Sequence, residues 1–120
     1  MSKAKNVRRP KGVPLILGDK EYKLVYDLNA FAELEELYGE IEEAMDALER
    51  GSIKAIRAIL WAGLLRENSD SQGNALLTPR QVGAMLDIAD LARITEPLGQ
   101  ALKESMPEEI KKELDDSDPL

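Results

Sequence analysis

The stretch Ile53 to Leu65, IKAIRAILWAGLL, constrains this chain more than any other. Lys54 and Arg57 are its only charged residues, and every other position is apolar or glycine. A helix that is apolar nearly all round must have neighbours on several sides. The stretch therefore predicts a central, buried helix on which the rest of the chain is assembled. One stripe breaks the pattern. Lys54, Arg57 and Trp61 share a face at helical spacing, and the stripe runs on to Leu65. The side that ought to meet water thus ends in the only tryptophan and a leucine. Two outcomes are open: another segment of the chain covers them, or they form a contact surface for a partner.

The rest of the sequence says what can surround such a helix. At 120 residues the chain is one domain. Aromatics make up only 4%, so the core is built from Leu, Ile, Ala and Val, which favours helices over a sheet-rich fold. Val13 to Leu17, a Gly18-Asp19 turn and Glu21 to Tyr26 read as a hairpin, with Tyr22, Leu24 and Tyr26 on one face. Pro14 has no N–H to donate and belongs at an edge or strand start. Asp27 caps a helix carrying Ala30, Phe31, Leu34, Leu37 and Tyr38, stopped at Gly39. A short helix with Ile41, Ala44, Met45 and Leu48 ends at Arg50-Gly51, and Ser52 caps the central helix.

Arg66 to Ala75 is a polar surface loop, read as mobile. Thr78-Pro79-Arg80-Gln81 is a capping box with proline at the first helical position, and it opens a helix whose apolar face is Val82, Met85, Leu86 and Ala89. A last helix bears Ile94, Leu98, Ala101, Leu102 and Met106; Pro97 predicts either a start near Thr95 or a kink. The expected fold class is α+β and mostly α-helical, an N-terminal β-hairpin packed on four to five helices. Residues 1–12 are expected to be a disordered basic arm, 13–106 a single globular domain, and 107–120 an acidic tail, partly helical or disordered.

Composition removes whole classes of chemistry. Without cysteine there is no disulfide frame and no thiolate zinc site; without histidine the commonest general base and transition-metal ligand is gone. Net charge is −7, and residues 1–18 carry +5 with no acid, which leaves −12 on the remainder. An acidic body repels nucleic acid and membrane surfaces. No apolar run approaches a membrane span, and no signal peptide is read at the N-terminus. The loop from Asn68 resembles a calcium loop only until its twelfth position, where Pro79 stands instead of a bidentate Glu. Glu33, Glu35, Glu36, Glu40, Glu42 and Glu43 lie on polar helix faces beside no nucleophile, and the glycines are scattered rather than gathered into a phosphate loop. No catalytic, cofactor or metal site is expected, and no enzyme.

What remains is the apolar surplus around Trp61. Core packing accounts for it if the hairpin or a terminal helix lies over it. Otherwise Arg57, Trp61, Leu64, Leu65 and Met85 form a groove for an amphipathic helix of another protein, with an aromatic anchor flanked by leucines.

The order of these elements resembles the small tail assembly chaperones of long-tailed bacteriophages and prophages. The likeness lies in five stretches. Tyr22-Lys23-Leu24-Val25-Tyr26-Asp27 leads into a helix with Phe31 and Leu34-Glu35-Glu36-Leu37-Tyr38-Gly39. The apolar helix Ile56 to Leu65 follows, then Leu77-Thr78-Pro79-Arg80-Gln81-Val82-Gly83, and a last helix with Ala101-Leu102. It spans roughly residues 13 to 106, and the Leu-Thr-Pro-x-x-Val-Gly start is its most specific part. The family pattern often has acids where this chain has Arg80 and Gln81.

The resemblance implies a protein that binds the helix-rich tape measure protein, keeps its apolar stretches from aggregating, and is displaced as tail tube protein polymerises. It implies the host bacterial cytoplasm and absence from the mature virion. Met45, Met85 and Met106 suit binding to varied helices, and equally suit core gaps. Self-association through the Trp61 face, a structural tail or connector role, and a small regulatory adaptor are the alternatives.

Overall fold

A computed structural model describes residues 12–106. The expectations for the basic arm and the acidic tail lie outside the described residues, apart from Gly12. The elements are β1 (Val13–Leu17), β2 (Lys20–Leu24), α1 (Leu28–Tyr38), α2 (Ile41–Glu49), α3 (Ile53–Leu64), α4 (Pro79–Gly83) and α5 (Leu91–Glu104), with a 3₁₀ turn at Ile88–Asp90 before α5. This is the mostly helical α+β architecture the sequence predicts.

α3 is the centre of it. It packs against β2 and against all four other helices. Within it only Ile53, Lys54, Arg57 and Trp61 escape burial. Ser52 caps it by accepting from the Ala55 N–H at 3.2 Å. The small residues Ala55, Ala58, Ala62 and Gly63 are all buried, so neighbouring elements come close along this helix.

The hairpin pairs β1 with β2 in antiparallel register, Leu17 with Lys20 through Val13 with Leu24. Gly18, at φ 66°, makes the turn. Leu15, Leu17 and Leu24 are buried on the inner face, while Pro14, Ile16, Glu21 and Lys23 face outward. Arg93 of α5 donates to the Ile16 carbonyl at 2.7 Å, which ties α5 to β1. The strand ends at Leu24, two residues before the alternation does. The cause is α3: the Val25 N–H donates to the Gly63 carbonyl at 2.8 Å instead of continuing the ladder.

Tyr26 fixes that junction. Its ring lies against Gly63, and its buried hydroxyl donates to the Ile59 carbonyl at 2.6 Å. Burial pushes this phenol up from its ordinary value. A raised folded-state value stabilises the fold below the unfolded phenol value of about 10, and that stability is lost as pH rises above it. Tyr26→Phe removes the titration and costs about 1 kcal/mol at neutral pH. Above about pH 10 the gap between wild type and Tyr26→Phe should therefore close, as read by urea melts at successive pH values.

Around α3 the caps act as the sequence predicts. Asp27 accepts from Ala30 N–H at 3.0 Å, and Gly39 ends α1 at φ 89°. Some apolar positions part from expectation. Ala30 and Leu34 are buried, but Leu37 is 55% exposed and Leu28 is 86% exposed. α5 starts at Leu91 rather than near Thr95, with Pro97 inside it; tertiary packing of Ile94, Leu98, Ala101 and Leu102 holds the helix across the missing N–H. The 66–75 loop, expected to be mobile, is folded on itself. Asp70 Oδ1 accepts from Gln72 and Asn74 N–H groups, Ser69 and Ala75 form a bridge, and Asn68 and Ser69 bond back to the Leu64 and Leu65 carbonyls. The Asn74 backbone N–H first, with the Asn74 side chain and the Gln72 and Gly73 N–H groups, holds the Asp70 carboxyl below its ordinary value.

Candidate functional site

The stripe on α3 is met by α1 on one side and α4 on the other. Both pack on α3. Arg57 lies between them: a Cβ built on Gly83 of α4 would fall 2.9 Å from Arg57 Cδ, and the guanidinium charge reaches the Tyr38 phenol at the end of α1. Burial raises the Tyr38 phenol, and Arg57 offsets part of that shift. Arg57 makes no ion pair with a carboxylate among the described residues. Trp61, one turn on, is half-buried and donates from Nε1 to the Leu77 carbonyl at 2.8 Å. Leu65 and Met85 are also half-buried. Leu64 is 1% exposed and belongs to the core, so the structure removes it from the contact set.

The cover over the stripe is slight. α4 has five residues, and Val82 is its only buried one. Turns carry the chain on to Leu86, where Met85 N–H donates to the Val82 carbonyl and Leu86 N–H to that of Gly83. The longer helix expected here, with Ala89 on its apolar face, does not form: Ala89 is exposed, and the Asp87 N–H turns instead to the Asp90 carboxylate at 2.9 Å. Gly83 weakens the helix interior where it stops. The flanks are open, with Leu76 60% and Ile88 70% exposed.

The start of α4 is well made. Thr78 and Gln81 form the reciprocal capping box, at 2.8 and 3.1 Å. Thr78→Ala should cost about 1 kcal/mol, measured by chemical denaturation, with faster amide exchange confined to the α4 region.

Comparison with family models, with curated proteins and with solved structures finds no match. The site must therefore be read from its own chemistry. Among the described residues no carboxylate cluster is placed to hold a metal ion, and no helix is long and apolar enough to cross a membrane. A shallow concavity of about 340 Å³ between Val13 and α5 is lined by Glu96, Pro97, Gln100, Ala101 and Glu104. It brings together no nucleophile and base. The face of α3 under α4 brings together the half-buried Trp61 and Leu65 and an arginine with no carboxylate partner among the described residues, and Met85 lies on the segment that covers it.

Proposed function

We propose that this chain is a tail assembly chaperone that binds the tape measure protein of a long-tailed phage during assembly of the tail tube. The observation that supports this reading is the α3 face itself. Arg57, Trp61 and Leu65 lie along one line of α3 and its C-cap, and only a five-residue helix with one buried side chain, followed by turns that carry Met85, lies over it. A chaperone of helical segments needs such a surface, and needs no catalytic group. It also needs to stay dispersed while offering apolar area, and the charge of −12 beyond residue 18 supplies that.

The test is co-expression with the products of neighbouring open reading frames, a long helix-rich tape measure protein among them. The tape measure protein should be recovered soluble and in complex with this chain, and the chain should be missing from purified particles. Recovery of this chain as a stoichiometric part of finished tails would replace the reading with a structural tail or connector role. Insoluble tape measure protein, with this chain folded beside it, would end the chaperone reading.

A further inference from the structure

We infer that the α3 face is a helix-binding seat held closed by α4, and that its partner is an amphipathic helix of α4-like pattern that takes α4's place. The inference rests on the proposed function for the partner's identity, but the seat itself is defined by what now occupies it. α4 and the turns after it present Val82, Met85 and Leu86 to the core, the i, i+3, i+4 spacing of an amphipathic helix. Gly83 sits where any Cβ would meet the stem of Arg57. The fitting helix therefore carries three apolar residues at that spacing and a small residue next to the first of them.

The geometry also says why α4 would be the element to leave. Its grip is one buried valine, the half-buried Leu77, Met85 and Leu86, and the Trp61 bond to the Leu77 carbonyl. α3 packs against β2, α1, α2 and α5 besides α4. A segment with few buried contacts opens at a lower free energy than the global unfolding reaction. A longer partner helix with more apolar turns has more to gain from the same face. The Arg57 guanidinium adds a preference for a carboxylate on the incoming helix.

The experiment uses the full chain and two readouts. By native-state hydrogen exchange, the Val82, Ala84, Met85 and Leu86 amides should open at lower free energy than the α3 amides, with little dependence on denaturant. Exchange of both sets in one global reaction would overturn the proposal. Next, Val82→Asp puts a charge at α4's one buried position. Trp61 emission should shift to the red and become open to acrylamide while far-ultraviolet helicity is kept. A synthetic peptide of residues 76–90 should reverse both changes, and the same peptide carrying Val82→Asp should not. No response to the wild-type peptide would sink the proposal. So would Trp61 protection that appears without peptide as the chain doubles its mass, since a second copy would then be the occupant. Should the variant lose its helicity, the exchange measurement on the wild type still decides. Neither readout contains tape measure protein, so a seat that takes the peptide but not the tape measure protein would defeat the chaperone reading alone.

Discussion

Gly63→Ala should lower the unfolding free energy by about 2 kcal/mol, although alanine is the better helix former by up to about 1 kcal/mol. Two effects oppose each other, and their sizes decide. The new methyl carbon would lie 2.7 Å from Tyr26 Cζ and from its hydroxyl oxygen, and 3.0 Å from Leu24 Cδ2. Neither neighbour has room to yield. Leu24 is fully buried and Tyr26 nearly so, and the phenol is held by the Ile59 carbonyl. Overpacking of this kind costs about 1–3 kcal/mol, and a shift of Tyr26 also strains its hydrogen bond and the Val25–Gly63 backbone bond beside it. For a domain of this size each kcal/mol moves Tm by about 4–8 °C, so a fall of about 10–15 °C is expected. Gly99→Ala is the control. Its methyl carbon would lie 3.4 Å from Leu48 Cδ2, a tight but side-chain contact, and the change should be neutral or mildly stabilising. Equal losses at both positions would mean that Gly63 is not the point where hairpin and helix are keyed together.

That junction shows what a sequence of this kind does and does not disclose. The burial of Ile53 to Leu65 was legible because two charges in thirteen residues leave no amphipathic alternative. The caps at Asp27, Ser52 and Thr78 were legible because each is a local bond between near neighbours. The end of β2 was not. Tyr26 continues the alternation perfectly, and only the Gly63 carbonyl, 38 positions on from Val25, ends the ladder. The glycine in Trp61-Ala62-Gly63-Leu64 was the available sign that something comes close to α3 there. α4 failed for the opposite reason. A strong local start at Thr78 implied a full helix, but Gly83 and the Asp87–Asp90 turn end it early. In the candidate site the stripe itself was visible from spacing. Its cover was not, because the bond from Trp61 to Leu77 and the contact of Arg57 with Gly83 join segments far apart in the chain. Leu64, seven positions on from Arg57, shares its edge of the helix, and its burial depends on neighbours from distant segments that spacing alone does not place.

Trp61→Ala should separate the structural from the binding share of that stripe. A core tryptophan would cost about 3–5 kcal/mol on truncation. Trp61 is only half-buried, so about 2 kcal/mol is expected, including the bond to the Leu77 carbonyl. Trp61→Phe keeps most of the packing and loses that bond, and should cost about 1 kcal/mol. In both variants the amides of residues 76–86 should lose protection while those of α3 keep more of theirs, because the cover is anchored on the indole. The decisive comparison is with the proposed partner. Trp61→Ala should reduce recovery of soluble tape measure protein by more than its stability loss accounts for, and Thr78→Ala, which loosens the cover and leaves the indole in place, should not. A loss of 3 kcal/mol or more in Trp61→Ala, in the core range quoted above, together with unchanged binding by the fraction that stays folded, would make the tryptophan a packing residue and move the search for the partner surface elsewhere. The exposed apolar side chains Leu28 and Leu37 on α1 would then be the next to test.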